Sequence, residues 1–379
     1  MRLLQIVPTL DPRSGGVANG VVELARAWTA CGVHSEIVVV DARQRCVDAG
    51  VPVHVAAPAY GGYAFAPALA RWLAGHVGRF DGLVQHGIWQ YPGVAARRAA
   101  LRCRKPYIVF PHGMLDPWFK RTYPAKHIKK TLYWRCGQYP VLRDARAVCF
   151  TCDEERSAAR TSFWPNTWRE ETVGFGSASP PGAVADAFVR AHPALAGRRF
   201  ALFLGRLHEK KGCDLLLDAF AQACRDDATL DLVMAGPDQT GWLAALRERA
   251  VAAGIAQRVH WTGHLEGDVK WGALQAAEVF ILPSHQENFG VVVAEALACG
   301  TPVLVSDKVN IWREVDSDGV GFVAPDTLDG TVALLRRWRA TPEHERDAMR
   351  RRARASHAQR YAMPAVAQRV FALFAAVAP

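Results

Sequence analysis

Two things are scarce in this chain of 379 residues: long apolar runs, and acidic residues in its first half. No uninterrupted apolar stretch approaches the roughly 20 residues that cross a bilayer, which excludes a protein built on helical membrane spans. Low-complexity sequence is lacking too. With 50% hydrophobic residues, the composition is that of a globular protein rather than a disordered one. The nine cysteines are an odd number at irregular spacing, which fits reduced thiols better than a disulfide framework. Cys149-Phe150-Thr151-Cys152 has the spacing of a zinc or redox pair, but no second pair accompanies it. Packing is the favoured reading there, with a redox or zinc role as the alternative. Met1 to Leu10 has one Arg and a short apolar stretch but no cleavage pattern, and it reads as a first buried strand. The expected location is the cytoplasm.

The shortage of acid is local. Residues 1 to 180 hold 23 Lys and Arg against 13 Asp and Glu, and the remainder holds 23 against 23. Within Arg97 to Arg146 the count is 13 against 2, with Tyr107, Trp118, Phe119, Tyr123, Tyr133, Trp134 and Tyr139 interleaved. A basic strip with aromatic rings suits an anionic membrane surface or a lipid-linked diphosphate. Nucleic acid is a second reading, ranked lower, and a solvated arginine-rich face is a third.

What is present is an α/β rhythm. Leu3 to Val7, Glu36 to Val40, Gly82 to Gln85, Tyr107 to Phe110 and Ala147 to Phe150 read as buried strands, with a helix from Val17 to Ala30. Such alternation predicts a parallel, doubly wound sheet. Glycine and proline cluster from Val173 to Gly182, and a second domain of the same kind starts at Phe200 to Leu204. The expected domains are 1–178, 179–360 and a last apolar helix within 361–379.

The densest signal is Glu287-Asn288-Phe289-Gly290-Val291-Val292-Val293-Ala294-Glu295. Val279 to Leu282 reads as a strand, Pro283 to Gly290 as its exit loop, and Gly290 to Cys299 as a helix closed by Gly300. Ligands of open α/β sheets bind at such exits, where unpaired amides at the helix start favour an anion. Eight helical residues would span about 12 Å, beyond the roughly 5 to 10 Å of a glycosidase carboxylate pair. The two carboxylates therefore read as contacting different ends of one ligand, Glu295 accepting two hydroxyl protons, as from a ribose.

Pro283-Ser284-His285-Gln286-Glu287-Asn288-Phe289-Gly290, followed by Glu295-Ala296-Leu297-Ala298-Cys299-Gly300-Thr301-Pro302-Val303, closely resembles the C-terminal signature of the retaining GT-B glycosyltransferases of family 4. Gly205-Arg206-Leu207-His208-Glu209-Lys210-Lys211-Gly212 is similar to that family's Gly-Arg-Leu loop, and Ala235-Gly236-Pro237-Asp238 and Gly263-His264-Leu265 to its next two strand exits. Near the start, Gly15-Gly16 resembles the glycine loop of the first domain, and Pro111 to Trp118 a segment of polysaccharide-building members. One departure is Val173-Gly174-Phe175-Gly176, where the family commonly has Pro-Asn-Gly. The resemblance implies the GT-B fold, two Rossmann-like domains facing a central cleft, with the last helix packing back on the first domain.

It also implies roles. The donor is a nucleotide diphosphate sugar, UDP- or GDP-linked, and the acceptor a hydroxyl of a glycan or lipid-linked molecule in exopolysaccharide or lipopolysaccharide synthesis. Arg206 and Lys211 would meet the growing charge of the leaving diphosphate, Arg206 as a two-pronged fork and Lys211 as a mobile point charge. Gly15 and Gly16 would let backbone approach the phosphates. His112 would touch the donor sugar or its phosphates, whereas Asp116 carries no assigned role. Glu287 would orient sugar hydroxyls, with the amides of Asn288, Phe289 and Gly290 beside it, and Glu295 completes the donor set.

No second carboxylate is placed to act as a nucleophile, so same-face attack is the expected route to retention. No metal or other cofactor is expected. Asp316-Ser317-Asp318 is formally an Asp-x-Asp, but Gly319 follows it and a surface turn is the reading favoured. A nucleotide-sugar epimerase and a non-catalytic sugar or nucleic-acid binder stay open as alternatives. The expected location extends to the cytoplasmic membrane face.

Overall fold

The structure, a computed structural model, describes residues 1–11, 16–42, 49–117, 120 and 124–375. The chain divides into two compact units: Met1–Gly176 with Met363–Pro379, and Ser177–Ala362.

The first unit carries, among the described residues, a seven-stranded parallel sheet. Its strands are β1 (Arg2–Ile6), β2 (His34–Val39), β3 (Val53–Val55), β4 (Gly82–His86), β5 (Tyr107–Phe110), β6 (Ala147–Phe150) and β7 (Glu170–Thr172). They lie in the order β3-β2-β1-β4-β5-β6-β7. The strands are near-continuous apolar runs because helices cover both faces of a parallel sheet, and β4, β5 and β6 are buried throughout. The helix Gly16–Ala30 buries Val21, Leu24, Ala25 and Trp28 on one stripe. The closing helix Met363–Ala375 packs against it, and the Trp28 indole donates to the Ala367 carbonyl at 3.0 Å. Phe374 rests on Gly82, where a Cβ would come within 2.4 Å of its ring. Burying a ring of that size contributes about 2–3 kcal/mol.

The second unit has, among the described residues, a six-stranded parallel sheet. Its strands are β8 (Arg199–Leu204), β9 (Leu230–Ala235), β10 (Val259–Gly263), β11 (Val279–Leu282), β12 (Val303–Ser306) and β13 (Gly321–Ala324). The order is β10-β9-β8-β11-β12-β13. Strand order reverses between β1 and β4 in one sheet and between β8 and β11 in the other. At such reversals the loops leaving the strands diverge and open a crevice.

Asp316-Ser317-Asp318 runs from an exposed helix end into a turn at Asp318 and Gly319, closed by the Gly319 amide on the Asp316 carbonyl at 3.1 Å. Asp316 and Ser317 end the helix Trp312–Ser317, and Asp318 accepts from Ser356 Oγ at 2.6 Å and from two nitrogens of Arg360 at 2.7 and 2.8 Å. Cys149 and Cys152 are buried thiols outside any disulfide, and the Cys152 sulfur caps the helix Asp153–Ala159 by accepting from the Glu155 amide. No group of three or more metal-ligating side chains occurs among the described residues, and no helix there is long and apolar enough to cross a membrane.

Candidate active site

In the second unit, two loops leave neighbouring strands and are tied to each other. After β8, Gly205 donates to Ala235 and Leu207 to Pro237, so Arg206 is held on a fixed backbone with its side chain exposed. Lys211 precedes Gly212, whose left-handed backbone (φ 65°) starts the helix Cys213–Ala223. A Cβ at Gly212 would lie 2.4 Å from the Pro283 carbonyl, so only glycine lets the two exits approach this closely. The His285 amide donates to Lys210 at 2.8 Å, which ties the loops again.

Glu287 is fixed through its backbone: its amide donates to Lys308 at 2.9 Å and its carbonyl accepts from Asn310 at 3.0 Å. Its carboxylate forms an ion pair with Lys211. Burial, first, and the nearby Arg206 charge push the Lys211 amine down to about 8. The Glu287 carboxylate works against both, and the amine is protonated at neutral pH. Gly290 (φ 78°) caps the helix Val291–Cys299 with no side chain; the Val293 amide turns back to the Gly290 carbonyl at 2.8 Å, which leaves the amides of Val291 and Val292 for whatever occupies the loop mouth. Gly300 (φ 79°) closes that helix. Phe289 is buried and meets Tyr361 edge-to-face at 5.5 Å, so its side chain packs rather than binds.

Glu295 lies apart from this cluster. It is 8% exposed, and Lys270 of the helix Gly267–Ala276 donates to it at 2.8 Å. The structure thus joins Arg206, Lys211 and Glu287, and gives Glu295 a different cation. Lys270 was missed in the sequence because the family-like motifs flank it without including it.

In the first unit, His112 follows β5 in a left-handed conformation (φ 51°), a strained state for a residue with a Cβ. The turn is held by Glu155, which is buried and accepts from the Gly113 amide at 2.5 Å and from the Thr151 amide and hydroxyl at 2.8 and 2.6 Å. The His112 ring stacks near-parallel on His86 and Phe110. Hydrogen bonds then set its protons. Gln5 Nε2 donates to the Val21 carbonyl at 3.1 Å, which aims Gln5 Oε1 at His86 Nε2, 2.9 Å away. His86 Nε2 must carry its proton, so His86 Nδ1 is the acceptor for His112 Nε2 at 3.1 Å. His112 Nδ1 is left with a lone pair and no partner among the described residues. Burial pushes His112 down to about 4 and holds His86 well below the usual range. A neutral imidazole in this tautomer accepts from a hydroxyl; toward a phosphate oxygen it has no proton to give. Gln5, His86 and Glu155 carried no motif, and only the polarity of Gln5 and His86 inside apolar strands marked them.

Gly16 opens the first helix of the unit, and Gly15 lies outside the described residues. Part of the basic strip is internal: Arg97 and Arg143 bind Asp144, and Arg146 donates to the Leu373 carbonyl. Trp118, Phe119 and Tyr123 of that strip lie outside the described residues.

The family profile described as glycosyl transferases group 1 matches residues 185–356, and that of a glycosyl transferase 4-like domain matches residues 15–176. The chain belongs to the group 1 glycosyl transferases. This group 1 member is 32% identical over 228 residues to the phosphatidyl-myo-inositol mannosyltransferase of Mycobacterium leprae, covering 56% of each chain. With the D-inositol 3-phosphate glycosyltransferase of Jonesia denitrificans it shares 27% identity over 95% of this chain and 91% of the other. The chain spans about half the length of the first of these relatives. The crystal structure of Anabaena Alr3699/HepE in complex with UDP superposes with a TM-score of 0.79 at 16% identity over the whole of both chains. At that identity the likeness shows the fold, two Rossmann-like parallel sheets of GT-B type.

Proposed function

We propose that this protein is a retaining glycosyltransferase. It takes a hexose from a UDP- or GDP-linked donor and places it on a hydroxyl of a glycan or lipid-linked acceptor in cell-surface polysaccharide synthesis. It works without a metal, in the cytoplasm or on the cytoplasmic membrane face. The observation that carries this reading is the cluster of Arg206, Lys211 and Glu287 at the reversal between β8 and β11, beside the uncapped start of the helix Val291–Cys299. Two cations and a row of helix amides are what a departing diphosphate needs as charge develops on it.

In this scheme Arg206 and Lys211 bind the diphosphate. The bond from the anomeric carbon to the diphosphate oxygen breaks and the electron pair stays on that oxygen. The acceptor hydroxyl attacks the same face and gives its proton to the departing oxygen. Glu287, held by Lys211 and the Lys308–Asn310 loop, faces the sugar with fixed geometry. Glu295 with Lys270 reads the ribose, and His112 accepts from a sugar hydroxyl through Nδ1. The relatives named above act on inositol-based acceptors by their names, which adds a phosphorylated polyol to the acceptor classes to be tried.

The test is incubation of the protein with a panel of UDP- and GDP-sugars, with and without acceptors, with products followed by NMR. Free nucleoside diphosphate with sugar transferred in the donor's anomeric configuration supports the reading. An altered sugar still attached to its nucleotide identifies an epimerase, and an absence of turnover with bound nucleotide identifies a binder.

A further inference from the structure

A cavity in the first unit has no part in the donor chemistry above. It has a volume of about 270 Å³ and opens beside the loop that follows His112. Its lining includes Met114, Asp116, Lys120, Lys126, His127, Lys130 and Phe163. The lining thus carries three ammonium groups and one carboxylate. The helix Pro124–Tyr133 carries most of these cations on one side, and it has Ile128 and Leu132 exposed.

The cavity's surroundings are built rather than incidental. His127 stacks on Phe163 at 4.7 Å, and Phe163 stacks in turn on the buried Trp134. The Lys130 ammonium sits 4.5 Å above the Trp89 ring. Trp89 is itself in the left-handed conformation (φ 73°), pinned by its amide to Gln138 Oε1 at 2.7 Å and by its indole to the Met114 carbonyl at 3.1 Å. Strain of this kind persists where the surroundings over-determine it, and here it puts an aromatic face under a cation. Burial and Lys126 lower Lys130, and burial together with Lys120 and Lys130 lowers His127, so the unliganded pocket holds mutually repelling charge.

We propose that this pocket binds a phosphoryl group of the acceptor, with the lysines on the phosphate oxygens and Phe163 and Met114 against the body of the same molecule. A phosphate dianion offsets the repulsion of Lys126 on Lys130 and of Lys120 and Lys130 on His127, and the half-enclosed site strengthens each contact. The inference rests on the transferase reading only in calling the ligand the acceptor. A phosphorylated polyol and a phospholipid headgroup present the same group, and the test separates them.

The reporter is the His127 ring proton, followed by NMR on the full chain and assigned from its loss in H127Q. Titration with inorganic phosphate is expected to raise the His127 pKa towards the ordinary value, as the anion offsets Lys120 and Lys130. In K126Q/K130Q, checked for folding by circular dichroism, phosphate affinity should drop by about tenfold or more. K120Q provides a second variant should that one not fold. Glycerol phosphate and phosphatidylglycerol vesicles are then compared. A response to the soluble ester assigns a polyol phosphate and a response to vesicles alone assigns a lipid headgroup; both support the pocket. A His127 titration that none of the three probes moves, or a response of the same strength in the lysine variants, overturns it. UDP binding is measured in parallel. UDP binding with a silent His127 sinks the pocket alone, whereas a responsive His127 with no turnover of any nucleotide sugar sinks the transferase reading alone.

Discussion

Lowering the pH should cost the first unit stability through one imidazole. His112 has an ordinary unfolded value of 6.5 and is pushed down to about 4 by burial. Between those two values the unfolded chain binds the proton and the folded chain does not. The stabilisation is therefore complete above 6.5 and is lost as pH falls towards 4. That difference corresponds to about 3 kcal/mol. For a unit of this size it lowers the melting temperature by roughly 6–12 °C. His112→Gln keeps a donor to His86 Nδ1 but has no titrating group. The assay is thermal unfolding of wild type and H112Q at pH 7.5 and pH 4.5, with the intrinsic tryptophans of the first unit as probe. Wild type should lose several degrees more than the variant across that interval. His86 is depressed in the same direction, by burial and by His112, so its own value relaxes in H112Q and the difference between the two curves reports the coupled pair. Parallel pH dependence in the two proteins would refute the argument, since it would mean that His112 is protonated as easily folded as unfolded.

Other outcomes follow from the second unit. Glu287→Ala should abolish sugar transfer and, by leaving Lys211 without its carboxylate, lower the melting temperature, while the thermal shift with nucleoside diphosphate is retained; full activity would remove Glu287 from the chemistry. Arg206→Ala should lower kcat by about 10²–10³-fold, as for loss of a donor to a developing oxyanion, with little change in the circular dichroism spectrum. Since Lys211 titrates at about 8, nucleoside diphosphate affinity measured by calorimetry should weaken as pH rises above that value; a flat profile to pH 9.5 argues that Lys211 does not touch the phosphates. Turnover should persist in excess EDTA, and complete loss restored by manganese would place a metal in the reaction.

The sequence showed the sheet where chemistry left little choice. Tyr107–Phe110, Ala147–Phe150 and Val279–Leu282 form strands at the residues read from the sequence, because each is an apolar run closed by turn formers. The helix after Gly290 was readable from the two glycines that bound it. The three-residue strands β3 and β7 escaped notice, since Val-His-Val and Glu-Glu-Thr are too short to show a period. The turn at Asp318 and Gly319 was legible, but not its partner, because a turn former beside glycine looks the same whether or not an Arg360 some forty residues on claims it. Arg206, Lys211 and Glu287 were visible as motif residues, but the pairing of Lys211 with Glu287 and of Lys270 with Glu295 depends on which loops the sheet order makes neighbours. The Gln5–His86–His112 chain joins three strand exits, and no local pattern announces a contact between residues so far apart.

Trp28 finds its acceptor 339 residues later, at Ala367. A ribosome that has released residues 177–362 has supplied everything the second unit needs, whereas the first must wait for Met363–Ala375 before Trp28, Phe374 and Gly82 can close together. The half begun earliest is thus finished last. Until those residues emerge it holds an open apolar seam, and a chain cut short near residue 362 would have one finished half and one that cannot seal.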